Sequence, residues 1–350
     1  MNKQLQKLIE SIEPVSQEKI SKTTLYLDTL TKPPGSLGKL EDIAIQLAGI
    51  TNQEAPQVSP PGILVFAADH GIVEEGVSAF PQEVTVQMIR NFLDGGAAIN
   101  VFARQIGAEL QVVDVGAADE VEDKRLVSKK IAAGTRNFLK TDAMTEEQME
   151  AAVLAGTESA EAMIARGIKC LILGEMGIGN TTAASALVSV LAGCSVDQAV
   201  GYGTGISNEV KQHKRNVIEE AVKRRNPDNS APLDVLKKLG GYEIAAITGA
   251  ILAAAKVKIP VILDGFICTS GAIVASRLNE HVKDYLFAGH VSQEQGHQFA
   301  LEDIGLEPLL ELGLKLGEGT GAALAFPMLE AAVRMRNEMA TFDKAGVTNK

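Results

Sequence analysis

Short runs of apolar residues alternate along this chain with stretches of helical periodicity. The apolar runs cover residues 63–68, 110–115, 170–173, 260–263 and 285–288, and a turn containing glycine follows each of them. Runs of this length without polar alternation are typical of strands that are buried on both faces. The pattern therefore predicts a parallel sheet in the interior of the molecule.

Helical patterns fill the intervals between these predicted strands. They cover residues 84–106, 181–191, 207–225 and 242–256, and the capping box of Thr145 and Gln148 marks the start of another helix. Strands that alternate with helices predict an α/β fold: a Rossmann-like parallel sheet with helices on both faces. Ligands bind such sheets beyond the carboxyl ends of the strands, so the glycine turns are the places to look for chemistry.

Both ends of the chain lack a strand pattern. Residues 1–50 indicate helices around a turn at 32–38, and residues 320–339 form one helical stretch. The prediction is a small helical domain beside the sheet. Its N-terminal part is 1–50, the large α/β domain is 51–318, and a C-terminal helix within 319–350 packs with the small domain.

Composition and charge exclude several classes of function. The net charge of −11 disfavours a nucleic acid partner, which would require a basic face. The three cysteines lack a CxxC neighbour, which disfavours a disulfide scaffold or zinc site. The N-terminus has no signal-peptide core, and the apolar stretch 244–257 is too short to span a bilayer. These observations predict a cytoplasmic protein without a membrane segment.

The first candidate site is the glycine-rich turn at residues 174–182, which follows a strand and opens a helix. Glycines allow the backbone to approach a ligand closely, and the free amides of a first helical turn attract an anion. The turn lacks the lysine of a Walker loop, which disfavours hydrolysis of nucleoside triphosphates. Two interpretations stay open: a phosphate cradle, or an ordinary strand-to-helix turn capped by Thr181.

The second candidate site is the loop 316–321, in which Glu318 stands between two glycines. In a dry cleft the pKa of such a carboxyl would rise, which suits a general base near neutral pH. The alternative is a solvated glutamate in a surface loop.

Polar residues elsewhere give weaker indications. Asp69 and His70 stand at a strand end, but the chain has no Gly-x-Ser-x-Gly nucleophile elbow, so a hydrogen-bonded structural Asp–His pair is expected. The histidine spacing indicates no metal site, and no cofactor is expected. Three basic residues follow the segment Gly201-Tyr202-Gly203-Thr204-Gly205 on a helix, where either a phosphate contact or a solvated face is possible: Lys211, Lys214 and Arg215.

Taken together, these motifs resemble the nicotinate-nucleotide–dimethylbenzimidazole phosphoribosyltransferase family. The matching segments run in order over nearly the whole chain, at 32–38, 66–71, 174–182, 263–266 and 316–325. The resemblance implies a homodimer that transfers the phosphoribosyl group of nicotinate mononucleotide to dimethylbenzimidazole, giving α-ribazole 5′-phosphate and nicotinate. The direct displacement would need neither a metal nor a covalent enzyme intermediate.

The resemblance also implies roles for individual residues. Glu318 is the general base, and phosphate and ribose lie near the glycine turn. The residues assigned to substrate binding are Glu175, Gly177, Ile178, Gly179, Asn180, Thr181, Lys214, Asp264, Ser292, Phe80, Gln87 and Leu316. The segment 77–81 departs from the Ser-Pro pattern of some members, so the preferred base is left open, although Phe80 offers an apolar face to a flat bicycle.

Two other functions compete with the transferase. A non-catalytic nucleotide-binding module would use the same glycine turn and release no product. A nucleosidase would give the ribosyl group of nicotinate mononucleotide to water instead of to a base.

Overall fold

A parallel sheet of seven strands, in the order β3-β2-β1-β4-β5-β6-β7, forms the centre of the molecule. The computed structural model describes residues 2–203, 205 and 207–348, so Thr204 of the glycine segment lies outside the described residues. The strands are β1 (Pro61–Ala68), β2 (Glu109–Gly116), β3 (Val127–Ser128), β4 (Cys170–Met176), β5 (Val261–Leu263), β6 (Leu286–His290) and β7 (Pro308–Leu310).

Helices connect the strands and form both ends of the chain. They are α1 (Lys3–Glu10), α2 (Gln17–Leu27), α3 (Lys39–Thr51), α4 (Glu83–Leu93), α5 (Ala98–Ile106), α6 (Glu146–Ala165), α7 (Asn180–Leu191), α8 (Val196–Ala199), α9 (Asn208–Arg225), α10 (Pro232–Leu239), α11 (Tyr242–Lys256), α12 (Phe266–Leu278), α13 (Gly296–Ile304), α14 (Thr320–Glu338) and α15 (Phe342–Ala345). Two short 3₁₀ helices cover Gly71–Glu75 and Glu280–Tyr285.

The sheet is buried on both faces, which explains the uninterrupted apolar runs. Every residue of β1 is buried. Gly62 of β1 faces Met163 of α6, whereas Gly174 of β4 packs on the start of α14. Gly62 pairs with Leu171, which lies three residues before Gly174 on β4. Side chains alternate between the two faces of a sheet along a strand, so Gly62 and Gly174 face opposite sides. Helices α6 and α14 therefore cover opposite faces of the sheet. The predicted Rossmann-like α/β fold is confirmed.

The order of the strands places the site. The chain moves outward from β1 to β2 and β3 and then returns to place β4 on the other side of β1. The strand order therefore reverses between β1 and β4, and a crevice opens at their carboxyl ends, as in other doubly wound sheets. The ends that meet there are Ala68 of β1 and Met176 of β4.

The terminal helices lie beside the sheet. The first 51 residues contain α1 to α3 and, among those described, no strand, as expected. Helix α14 contacts α3 as well as the strands β4 to β7. The proposed division at residues 50 and 318 stays a prediction.

Several local predictions are wrong in detail. The predicted helix 84–106 is two helices, α4 and α5, because the chain turns at Gly95 and Gly96, with Gly95 in the left-handed region at φ 79°. The sequence pattern missed β3 and β7, which are edge strands of two and three residues. Ser292 follows β6, the sixth of the seven strands. Nowhere among the described residues does a helix have both the length and the apolar character needed to cross a membrane.

Candidate active site

A cavity of about 110 Å³ lies beyond the carboxyl ends of β4, β5 and β6. Its wall contains most of the substrate-binding residues predicted from sequence: Glu175, Gly177, Ile178, Asn180, Thr181, Asp264, Ser292 and Leu316. A cleft of about 30 Å³ shares the glycine turn with it and is lined in addition by Gly179 and Lys214. The fold thus gathers segments that are far apart in sequence around one crevice.

The turn between β4 and α7 lies directly on the end of β1. A side chain at Gly177 would collide with the carbonyl oxygen of Ala68, and Gly179 is left-handed at φ 96° and packs against Val73. Glycine is required at both positions, by close approach at the first and by backbone conformation at the second.

The same turn presents free amide groups. The amides of Ile178, Asn180 and Thr182 bond to acceptors within the protein. Among the described residues, no acceptor is found for the amides of Gly179 and Thr181. The start of α7 therefore offers N–H groups to an anion, as helix N-termini do.

Lys214 adds a positive charge to this turn. Its side chain is 1% exposed, and its Nζ donates a hydrogen bond of 2.8 Å to Thr181 Oγ1. Burial lowers the pKa of Lys214 to about 8, while the nearby Glu294 carboxylate acts in the opposite direction. Of the basic residues on α9, Lys214 is buried, and the solvated-face interpretation is wrong for it. Lys211 and Arg215 are half-buried and pair with Gln295 and Asp197.

Glu175 is a buried carboxylic acid in the cavity wall. Burial raises its pKa to about 8, and the charges of Asp264 and Glu243 act in the same direction. Asn180 donates a hydrogen bond to its carboxylate, and Gly317 packs closely against the other carboxylate oxygen. At neutral pH Glu175 is mostly protonated, which gives it a proton to donate.

Glu318 is buried, so the interpretation as a solvated loop residue is wrong. Its side chain is 5% exposed, and its Oε2 accepts a hydrogen bond of 3.2 Å from the amide of Ile99 in the first turn of α5. Burial raises the pKa of Glu318, the Ile99 hydrogen bond lowers it, and Asp264 raises it further. Leu316 and Gly317 line the cavity, whereas Glu318 is not among its lining residues.

The backbone around Glu318 is unusual. Three consecutive residues, Gly317, Glu318 and Gly319, have φ of 87°, 65° and 99°. The left-handed conformation costs a residue with a side chain roughly 1 kcal/mol or more. The loop lies against β4, where a side chain at Gly174 would collide with the Glu318 carbonyl. Such local strain, held in place by packing, is common at functional sites.

Asp264 holds this loop through hydrogen bonds to its backbone. Its carboxylate accepts hydrogen bonds from the amides of Gly319 (3.1 Å), Gly321 (2.7 Å) and Ala322 (3.1 Å). His290 Nε2 lies 3.5 Å from the same carboxylate. Asp264 therefore anchors the N-terminus of α14 and, through Gly319, the position of Glu318.

Ser292 is held by a buried histidine. Its amide donates a 2.9 Å hydrogen bond to His297 Nδ1, and His297 Nε2 lies 2.9 Å from Thr269 Oγ1. Burial, with a smaller effect of His290, lowers the pKa of His297 to about 3. The ring is therefore neutral and able to accept the bond that orients Ser292.

The predicted Asp69–His70 pair is wrong. His70 Nε2 lies 2.6 Å from Oε1 of Glu243 on α11, and both side chains are fully buried. Asp69 accepts hydrogen bonds instead from the Thr85 hydroxyl and the Ala118 amide. The backbone continues extended beyond β1 at His70, and adjacent side chains of an extended segment point to opposite sides, so these neighbours in sequence meet different partners.

Two of the predicted substrate-binding residues lie outside both cavities. Phe80 is 46% exposed, and Gln87 is exposed on α4, although Val77 and Ser78 line the smaller cleft. Sequence reasoning did not single out Thr85, Glu243 or Glu294. A single acidic residue in a mainly apolar helix, such as Glu243 in α11, was the signal that could have identified one of them.

A larger cavity of about 520 Å³ lies between α1, α6 and α11 and is lined by three lysines: Lys3, Lys7 and Lys256. Lys256 ends α11, whose first residue, Tyr242, packs on Gly116 at the carboxyl end of β2. This cavity is therefore at the opposite edge of the sheet, away from the glycine turns.

The crevice at the carboxyl ends combines complementary groups. Lys214 and the amides of α7 provide positive charge for a phosphate, and two buried carboxyl groups, Glu175 and Glu318, provide proton donors or acceptors. This set suits binding of a phosphorylated sugar beside groups that can transfer a proton.

Comparisons with known proteins identify the family. A family model described as a phosphoribosyltransferase matches residues 12–347. A nicotinate-nucleotide–dimethylbenzimidazole phosphoribosyltransferase of Geobacter sp. (strain M21) is 49% identical over 346 residues, 99% of each chain. That of Halalkalibacterium halodurans is 45% identical over 98% of this chain and 96% of the relative.

A solved structure agrees with these relatives. The crystal structure of the enzyme of this name from Thermus thermophilus has a TM-score of 0.91 and 46% identity, and covers 96% of this chain and 100% of its own. The prediction from sequence motifs is confirmed: the chain belongs to the nicotinate-nucleotide–dimethylbenzimidazole phosphoribosyltransferase family and is a pentosyltransferase.

Proposed function

We propose that this chain transfers the phosphoribosyl group of nicotinate mononucleotide to 5,6-dimethylbenzimidazole, giving α-ribazole 5′-phosphate and nicotinate. The observation that carries the proposal is the buried Lys214 of α9, whose Nζ reaches the start of α7 in the same crevice as the loop that bears Glu318, in a chain of this family. The relatives named above carry that reaction in their names.

The phosphate of the nucleotide binds at the start of α7. Lys214 contributes the charge, and the amides of Gly179 and Thr181 contribute hydrogen-bond donors. Ser292, held by His297, adds a hydroxyl from the opposite wall of the crevice. The ribose then lies along the turn, within reach of Glu175 and Asn180.

The reaction requires one proton transfer from the incoming base. The bond from ribose C1′ to the pyridinium nitrogen breaks, and its electron pair returns to the ring as neutral pyridine. A nitrogen of the benzimidazole forms the new bond from the opposite face, and its N–H proton passes to the Glu318 carboxylate. The positively charged leaving group needs no acid, so one base suffices.

Glu318 is a better candidate for this base than Glu175. With its pKa raised to about 8, Glu175 holds its proton at neutral pH and is suited to donate a hydrogen bond to ribose. Glu318 also has a raised pKa, but its bond from Ile99 at the start of α5 favours the charged carboxylate. The strained backbone at Glu318 is consistent with a specialised role.

Phe80, Gln87 and Leu316 are proposed to surround the base acceptor. Phe80 and Leu316 expose 46% and 60% of their surface, and Leu316 lines the cavity. Exposed apolar side chains beside a crevice suit a flat aromatic ring. The base that the pocket prefers is best identified by mass spectrometry after incubation with a panel of benzimidazoles and purines.

The decisive test is Glu318→Gln, which keeps the size of the side chain and removes the base. We expect kcat to fall by about 10²–10⁴-fold, while nicotinate mononucleotide still binds in calorimetry. Glu311→Gln, an exposed glutamate nearby, is the matched control and should keep wild-type turnover. A Glu318→Gln enzyme with wild-type kcat would assign the base to another group, and Glu175→Gln would then identify it.

The competing functions give different products. Wild-type protein incubated with nicotinate mononucleotide alone should release little ribose 5-phosphate. Rapid release would indicate a nucleosidase, and binding without any product in the presence of both substrates would indicate a non-catalytic module.

A homodimer in the cytoplasm is proposed as the working form. The proposal draws on the resemblance to the family and on the free cysteines, two of which, Cys170 and Cys268, are buried. Light scattering on the purified protein measures the assembly, and a monomer at micromolar concentration would contradict it. Cell fractionation tests the location.

A further inference from the structure

The hydroxyl group of Thr85 connects the end of β1 to the glycine turn of the active site. Thr85 is fully buried in the first turn of α4. Its hydroxyl donates a 2.7 Å hydrogen bond to Asp69 Oδ1 and accepts a 3.1 Å hydrogen bond from the amide of Ile178. One hydroxyl thus joins three separate segments of the chain.

Asp69 is itself held firmly in place. Its second oxygen, Oδ2, accepts a 2.8 Å hydrogen bond from the amide of Ala118. Its backbone bonds to the Gly116 carbonyl and accepts from the Thr135 amide. The Ala118 amide and the two backbone bonds hold Asp69 independently of Thr85. Its carboxylate therefore orients the Thr85 hydroxyl as a donor, and the hydroxyl oxygen accepts from the Ile178 amide.

Ile178 is the central residue of the turn. It lines both the cavity and the smaller cleft, between Gly177 and Gly179. Glycines on either side leave the backbone torsions of this segment weakly determined by the chain itself. The bond from Ile178 to Thr85 therefore orients the peptide that precedes the free amides of Gly179 and Thr181.

We propose that Thr85, oriented by Asp69, is a positioning residue for phosphoribosyl transfer: it holds the glycine turn in the conformation that receives the nucleotide. The inference rests on the proposed function of that turn as the phosphate and ribose site. Thr85 itself is buried behind the turn and acts through the Ile178 amide.

Two substitutions separate the hydroxyl group from the methyl group of Thr85. Thr85→Val keeps the volume but leaves the Ile178 amide and Asp69 Oδ1 without their partner, so the turn must shift to satisfy them. Thr85→Ser keeps the hydroxyl and loses only a methyl group. A misplacement of about 1 Å at a reacting centre can cost up to roughly 100-fold in rate.

The experiment compares these variants with Thr157→Val. Thr157 is also buried, and its hydroxyl bonds to the carbonyls of Val153 and Gly249, away from the crevice. We measure kcat and KM for nicotinate mononucleotide, its affinity by calorimetry, the melting temperature, and hydrogen exchange of residues 174–182. Thr85→Val should lose about 10–100-fold in kcat/KM. Its backbone amides in residues 174–182 should also exchange hydrogen faster than those of the wild type. Thr85→Ser and Thr157→Val should stay within about threefold of wild type.

A folded Thr85→Val enzyme with wild-type kcat/KM and wild-type exchange would overturn the proposal. Equal losses in Thr85→Ser and Thr85→Val would assign the effect to packing of the methyl group and would overturn it as well. If Thr85→Val does not fold, Asp69→Asn replaces it. Asparagine cannot accept from both donors, so the same losses are expected, and wild-type values would contradict the role.

Failure of the proposed function gives a separate result. If the wild-type chain transferred no phosphoribosyl group, that function would be wrong irrespective of the variants. The exchange rate of the glycine turn would still test whether Thr85 orders it, because this measurement requires no turnover.

Discussion

At the scale of single residues, burial of charged groups distinguishes the candidate site. Lys214, Glu175 and Glu318 are each at most 7% exposed, and burial shifts the pKa of all three toward neutrality. A side chain that changes charge near pH 8 makes binding depend on pH in a range where activity is easily measured.

Lys214 allows a prediction with a defined sign. Below its pKa of about 8 the side chain is charged and attracts the phosphate, and above that pH it loses the charge. We expect KM for nicotinate mononucleotide to be constant below pH 8 and to rise by up to about tenfold per pH unit above it. Lys214→Arg, whose guanidinium stays charged, should show no such rise even if its KM is higher throughout. A flat wild-type profile from pH 7 to 9.5 would contradict the role of Lys214.

Among the secondary-structure elements, glycine contacts determine how closely the helices pack. On α6, a side chain at Gly156 would collide with the Ala246 carbonyl, and on α11 a side chain at Gly249 would collide with the Val153 carbonyl. Backbones in such contact leave no room for a methyl group. The two helices cover the same face of the sheet as a rigid pair.

Gly249→Ala should therefore destabilise the protein. We expect the free energy of unfolding to fall by roughly 3 kcal/mol because the helices must separate to admit the methyl group. Chemical denaturation measures the change. Ala151→Ser on the exposed side of α6 is the control and should change it by less than about 0.5 kcal/mol. An unchanged free energy of unfolding for Gly249→Ala would show that the two helices can separate without loss of stability.

In the molecule as a whole, the crevice joins segments from most of the chain. Its wall combines the ends of β4, β5 and β6 with the start of α7 and the loop that precedes α14. A ligand that bridges them stabilises only the folded state, so its binding energy adds to the free energy of unfolding.

Nicotinate mononucleotide should raise the melting temperature. At a concentration about 100-fold above Kd the stabilisation is about 2.7 kcal/mol, a shift on the order of 5 °C. Scanning fluorimetry measures it. The riboside without a phosphate, or Lys214→Met with the full nucleotide, should lose most of the shift. An equal shift of the melting temperature with the riboside would show that the phosphate does not contribute to binding.

Local patterns were sufficient to predict the fold class and most elements. The start of α6 at its Thr145–Gln148 capping box and the full extent of α11 are confirmed. These features depend on apolar periodicity and caps, which are properties of neighbouring residues. The edge strands β3 and β7 escaped because they are short and none of their residues is fully buried, unlike the equally short but buried β5.

Sequence alone was enough to predict the α/β fold, the family, and the glycine turns that line the candidate site, because each depends on short contiguous segments. The pairing of side chains became visible only in three dimensions: Glu318 with Ile99, His70 with Glu243, and Thr85 with both Asp69 and Ile178. These partners are far apart along the chain or on different elements. Their meeting depends on the strand order and on how the helices cross the sheet, and no local pattern specifies either.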